Sequence, residues 1–193
     1  SHLSNPYQTS VPAQKVSPLA PQVIAIVGTI TDKTAASVRR QLAEMDPGQE
    51  VAVAIDSLGG QLEPAQAIYG ALRARSGRVC TRVLSTCASA ATVIALAGDW
   101  REALSGSLFM IHQVEVAPNA DARWTAAKHR RTADIVAAYD TDLVRLYAGR
   151  TGVSESRFRA EMSRERGMTA ATAKSFGLIH HALGTPSGQP YGK

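Results

Sequence analysis

The feature that most constrains this chain is a succession of three short strand-like runs at residues 23–27, 51–55 and 79–84, the first two of them continuously apolar, separated by stretches with helical periodicity. A strand with one wet face alternates polar and apolar residues, whereas a strand covered on both faces of a parallel sheet reads as an unbroken apolar run. Helix-length segments between such runs are the crossovers that parallel strands require. After Gly28, Val38, Leu42 and Met45 mark one helical face, which Asp46-Pro47-Gly48 ends. Residues 62–75 supply a second helix. The expected class is α/β, a parallel sheet with flanking helices, whose ligands bind beyond the carboxyl ends of the strands.

Farther along, residues 89–97 are small and apolar, as a buried helix would be, and residues 107–111 form another strand ending at His112. The longest helical pattern covers residues 122–149, with Trp124, Ala127, Ile135, Ala138, Leu143 and Leu146 on one face and Gly149 near its stop. A helix of that length is expected to project from the domain. Ser154, Glu155 and Arg157 open a short helix, residues 169–176 give one more, and Gly177-Leu178-Ile179 closes the ordered part. The reading is a flexible N-terminal arm over residues 1–21, one domain over 22–184 and a loose tail over 185–193.

Composition removes several classes. The net charge is +5, but the basic residues are dispersed and form no arginine-rich run, which argues against a nucleic-acid partner. Charged residues interrupt every long apolar stretch, so no membrane span is expected, and the polar start is unlike a secretory signal. Cys80 and Cys87 have neither the spacing nor the partners of a metal site. They read as reduced thiols of a cytoplasmic protein, and no metal or cofactor is expected.

Three element boundaries carry chemistry. Asp56-Ser57-Leu58-Gly59-Gly60 joins a strand to a helix, and its glycines let backbone N–H groups approach a ligand. Cys87-Ala88-Ser89-Ala90-Ala91 is a second such junction and puts a hydroxyl at a helix start, where a serine can equally be a cap. His112 ends a strand, a place where structural histidines also occur. Taken together in one sheet they supply oxyanion donors, a nucleophile and a base, the set needed for acyl transfer.

The residues from Asp56 through Ile179 resemble the Clp protease proteolytic subunit family, including its phage head-maturation-like relatives. Ser57-Leu58-Gly59-Gly60 is similar to that family's Ser-Pro-Gly-Gly loop, Ala67-Ile68-Tyr69 to the helix behind it, and Ala88-Ser89-Ala90 to its nucleophile motif Ala-Ser-Met. Met110-Ile111-His112-Gln113 matches the catalytic-histidine motif, and the stretch from Ala173 to Ile179 the Gly-Leu-Ile of the C-terminal region. The resemblance implies a crotonase-like α/β fold and a serine endopeptidase acting on unfolded proteins or peptides inside stacked homo-oligomeric rings. It implies Ser89 as nucleophile, His112 as base, backbone N–H groups of Gly60 and Ala90 as oxyanion hole, and Ser57, Leu58 and Gly59 as a substrate-binding loop.

The third triad position falls on Glu165, in Arg164-Glu165-Arg166 where the family has Arg-Asp-Arg; Glu161 and Asp140 are the other carboxylates considered for that task. The long helix, with the segment from Gln113 before it, corresponds to the handle by which rings stack, over about residues 113–149. An AAA+ unfoldase is the family's partner, but Ala52 and Ala54 stand where unfoldase-docking members have tyrosines, which argues against docking here. Two other readings stay open: a catalytically idle ring or scaffold subunit, and a crotonase-type CoA-thioester hydratase or isomerase.

Overall fold

The three runs become neighbouring strands of one sheet, the first of them at its edge. In the computed structural model, which describes residues 21–117 and 123–184, β1 (Gln22–Val27), β2 (Val51–Ser57) and β3 (Val79–Ala88) pair in parallel, with Ile24 beside Val53 and Val53 beside Thr81. Residues 1–20 of the arm expected over 1–21, the whole tail over 185–193, and residues 118–121 of the handle tip expected over 113–121 lie outside the described residues. Helices α1 (Asp32–Ala43) and α2 (Leu62–Arg73) form the crossovers and bury Ala35 and Val38, and Ile68 and Leu72, against Ile24, Val53, Ile55 and Val83. Burial of each Val, Ile or Leu side chain among these contributes roughly 1.5–3 kcal/mol.

The expectation that the strands are covered on both faces is corrected by the structure. β1 alternates in burial, and its outward Val23 and Val27 are 62% and 67% exposed. The crossover helices pack on one face, and the β-branched residues of the other face stay in solvent in the single chain.

β3 is long enough to serve two neighbours. Its first half, Cys80 to Val83, pairs with β4 (Trp100–Leu104), and its second half, Thr86 to Ala88, with β5 (Leu108–Met110). β7 (His181–Leu183) continues the sheet beyond β4, and β6 (Met168–Thr169) runs antiparallel to β5. The sequence reading has no β4, β6 or β7. In β4 the charges of Arg101 and Glu102 break the apolar pattern, yet Arg101 is buried. Its guanidinium donates to the carbonyls of Gly98, Gly177 and Leu178 at 3.0–3.1 Å and of Arg150 at 3.3 Å. Burial and the neighbouring Arg150 charge pull it down to about 10, so it remains a cation at neutral pH.

Helix α3 (Ala90–Ala95) is wholly buried beneath the sheet's carboxyl edge. Helix α4 (Ala126–Thr151) begins where the Thr125 hydroxyl accepts from the Lys128 N–H, and ends at Gly152 in the left-handed region, φ 75°, rather than near Gly149. Its buried residues, Leu143, Val144 and Tyr147, all lie in the second half; the first half stands away from the domain, with Ile135 49% exposed. The predicted single apolar face is therefore divided: Leu143 docks, while Ala127, Ile135 and Ala138 face solvent. Tyr147 stacks on Phe158 of α5 (Glu155–Met162), and Phe158 meets Phe176 after α6 (Ala170–Ser175) at a tilt, with ring centroids 5.2 and 5.6 Å apart. Among the described residues no helix is long and apolar enough to cross a membrane.

Candidate active site

β3 turns into α3 through Ser89, whose φ of 53° and ψ of −128° lie outside the regions open to most L-residues. Such a conformation costs on the order of 1–3 kcal/mol and persists only where the surroundings fix it. Here the Ser89 N–H donates to the Met110 carbonyl at 2.8 Å. The Ser89 carbonyl accepts from both the N–H and the hydroxyl of Thr92, at 3.0 and 2.6 Å, and the Thr92 hydroxyl in turn lies 2.6 Å from the phenol of buried Tyr147. The sharp strand-to-helix turn holds the hydroxyl out at the end of the sheet.

His112 follows β5, and β5 is paired to the same half of β3 that ends at Ser89, with Ala88 beside Met110. This register brings His112 Nε2 to 2.7 Å from Ser89 Oγ. Burial pushes the thiol of neighbouring Cys87 well up, so it stays protonated and offers no competing nucleophile.

The glycine loop closes on the elbow. Ser57 is buried; its hydroxyl donates to the Gly28 carbonyl at 2.6 Å and accepts from the Gly59 N–H at 3.0 Å. Its contribution to the expected substrate loop is thus internal bracing, whereas Leu58 is 79% exposed. Gly59 and Gly60 have φ of 103° and 148°, and Gly60 bridges to Ile30 through Ile30 N–H to Gly59 carbonyl and Gln61 N–H to Ile30 carbonyl contacts, both 2.9 Å. The N–H groups of Gly60 and Ala90 donate to no acceptor among the described residues, and both residues line one cavity of about 540 Å³ with Ser89 and His112. Free donors beside a hydroxyl–imidazole pair can receive the negative charge that builds on a carbonyl under attack.

The carboxylates differ from the sequence reading. Glu165 sits in the turn after α5 at φ 47°, exposed, with a carboxylate oxygen within 4.8 Å of a His112 ring nitrogen. Glu115, which sequence reasoning missed, is nearer, its Oε1 3.5 Å from His112 Nδ1. Its only sequence signal is the three-residue spacing from His112 on a segment without regular structure. The other two carboxylates are engaged elsewhere. Asp140 accepts the Val114 N–H at 2.7 Å. Glu161 is buried between Arg166 and Arg164, at 3.0 and 3.1 Å, and the hydrogen bonds from these guanidinium groups hold its carboxyl below the ordinary range.

Compared with known proteins, the chain matches the Clp protease family over residues 13–185. It is 32% identical over 166 residues to an ATP-dependent Clp protease proteolytic subunit of Bacteroides fragilis, spanning 83% of this chain and 78% of that relative. The equivalent subunit of Bacteroides thetaiotaomicron is 31% identical over 166 residues, 83% of this chain and 74% of the relative. That of Pleurastrum terricola is 30% identical over 163 residues, 82% and 81% of the two chains.

Proposed function

The chain belongs to the Clp protease family, and from that premise we propose that it is a serine endopeptidase that cleaves unfolded proteins or peptides through an acyl-enzyme on Ser89. The observation that carries this reading is the 2.7 Å contact between Ser89 Oγ and His112 Nε2 at a strained strand-to-helix turn. His112 Nε2 takes the hydroxyl proton as Ser89 Oγ bonds to the scissile carbonyl carbon. The carbonyl oxygen becomes an oxyanion facing the Gly60 and Ala90 N–H groups. Collapse of this intermediate breaks the C–N bond, and the imidazolium returns its proton to the leaving amine. Water then repeats the sequence on the ester, releasing the acid and Ser89. The chemistry uses no cofactor.

The working form is proposed as homo-oligomeric rings in the cytoplasm, stacked through the handle of α4, whose first half is left exposed in the single chain. Ala52 and Ala54 offer no aromatic surface on β2, so docking of an AAA+ unfoldase there is not part of the proposal. The test is labelling of the purified protein with a fluorophosphonate, the adduct located by mass spectrometry. Labelling at Ser89 that Ser89→Ala and His112→Ala each abolish is the expected result. An assembled ring that takes no label would instead make the chain an idle scaffold subunit.

A further inference from the structure

We propose that Glu115 is a positioning residue of the Ser89–His112 pair, sharing the His112 Nδ1 proton with Glu165. This rests on the peptidase reading above. When Nε2 accepts the serine proton, Nδ1 keeps its own, and a hydrogen-bond acceptor must hold the ring in that tautomer and balance the new charge. No proton passes to the carboxylate. Glu115 Oε1 lies 3.5 Å from Nδ1, just outside hydrogen-bond range. Contacts of this kind are often long in a resting enzyme and tighten when substrate binds.

The position of Glu115 is also built rather than incidental. Asp140 on α4 holds the Val114 N–H at 2.7 Å, which fixes the backbone immediately before Glu115. The side chain itself is 72% exposed and free to turn the short distance required. Asp140 and Glu161 are spent on Val114 and on the arginines flanking Glu165, so neither competes for the imidazole. Glu165 approaches His112 from the turn after α5, so carboxylates from two different segments converge on the ring.

The experiment compares the assembled wild type with Glu115→Gln, Glu115→Asp, Glu165→Gln and the double glutamine variant. It reads peptidase kcat and KM through the acid limb of the pH profile, and the rate of fluorophosphonate labelling at Ser89. A chelator is included, because the donor atoms of His112, Glu115 and Glu165 lie within 4.8 Å of one another and a stray cation could bind there. Glu115→Gln is expected to lower kcat roughly tenfold with little change in KM, since a hydrogen bond to a charged group is lost. Its acid limb should move to lower pH, because a negative charge that favours the imidazolium has gone. Glu115→Asp should recover part of both effects, and Glu165→Gln should cost less than Glu115→Gln. The double variant should fall about 10³–10⁴-fold, as for a serine–histidine pair with no orienting carboxylate. A labelled wild type with Glu115→Gln unchanged in kcat and acid limb, or with Glu165→Gln carrying the whole loss, would overturn this inference alone. A wild type that takes no label would bring down the peptidase reading and this inference with it.

Discussion

At Gly59 the backbone leaves no room for a methyl group: a Cβ there would lie 2.7 Å from both the Ala88 carbonyl oxygen and the Ser89 Cβ, and φ is 103°. Both the clash and the conformation count against any side chain. Gly59→Ala is therefore expected to destabilise the fold by about 2 kcal/mol or more and to slow labelling of Ser89. Gly106→Ala, at a position with nothing within 4 Å, should stay within about 0.5 kcal/mol. Denaturant unfolding of the two variants makes the comparison; equal midpoints would mean the loop relaxes away from the elbow. Ser89 and His112 were legible in the sequence because each sits at an element boundary inside a short motif. Glu115 was not, since its place beside His112 depends on an irregular segment and on the Asp140 to Val114 tether, neither of which leaves a pattern. Nor did the letters reveal that Ser57 spends its hydroxyl internally, because a turn serine reads the same in either role.

Among the elements, the runs that form β1, β2 and β3 were legible, as were the helices, because their periodicity is local. β4 and β7 owe their strand character to partners far away in the chain. Arg101 of β4 is satisfied by carbonyls from three other segments, and its backbone N–H donates to His180 Nδ1 at 3.0 Å just before β7. Trp100 stacks on the same imidazole, with centroids 5.0 Å apart. Burial first, then the charges of Arg101 and Arg150, lower the pKa of His180 below the usual 6.5. A neutral His180 is thus favoured by folding, and below pH 6.5 the unfolded chain binds the proton more readily. The corresponding stability is present in full above 6.5 and is lost as pH falls from there through the lowered folded value. His180→Phe should remove that slope while keeping the stack. The slope from Glu161, whose carboxyl is also lowered, begins only below its ordinary 4.5 and should survive. Thermal unfolding as a function of pH separates the two windows, and an unchanged slope in His180→Phe would place its origin elsewhere.

Among the described residues, the exposed apolar side chains include those on the outward face of β1 and on the first half of α4. A parallel sheet seldom stays bare on one side, and such surface usually marks an interface. If the rings stack through the handle, Ile135→Arg should yield smaller species in sedimentation with unaltered helix content and thermal midpoint; an unchanged assembly would mean that the handle is not the contact. The division of β3 between β4 and β5 has a different consequence, concerning how such an enzyme could be switched. Ser89 and His112 ride on neighbouring strands joined by the Ser89 to Met110 hydrogen bond, so parting them means unzipping that ladder. Under the proposed mechanism, a latch operating short of unfolding would have to work at the periphery, by withdrawing the Gly60 N–H or swinging aside Glu115 and Glu165, and the dormant form would keep Ser89 and His112 in contact.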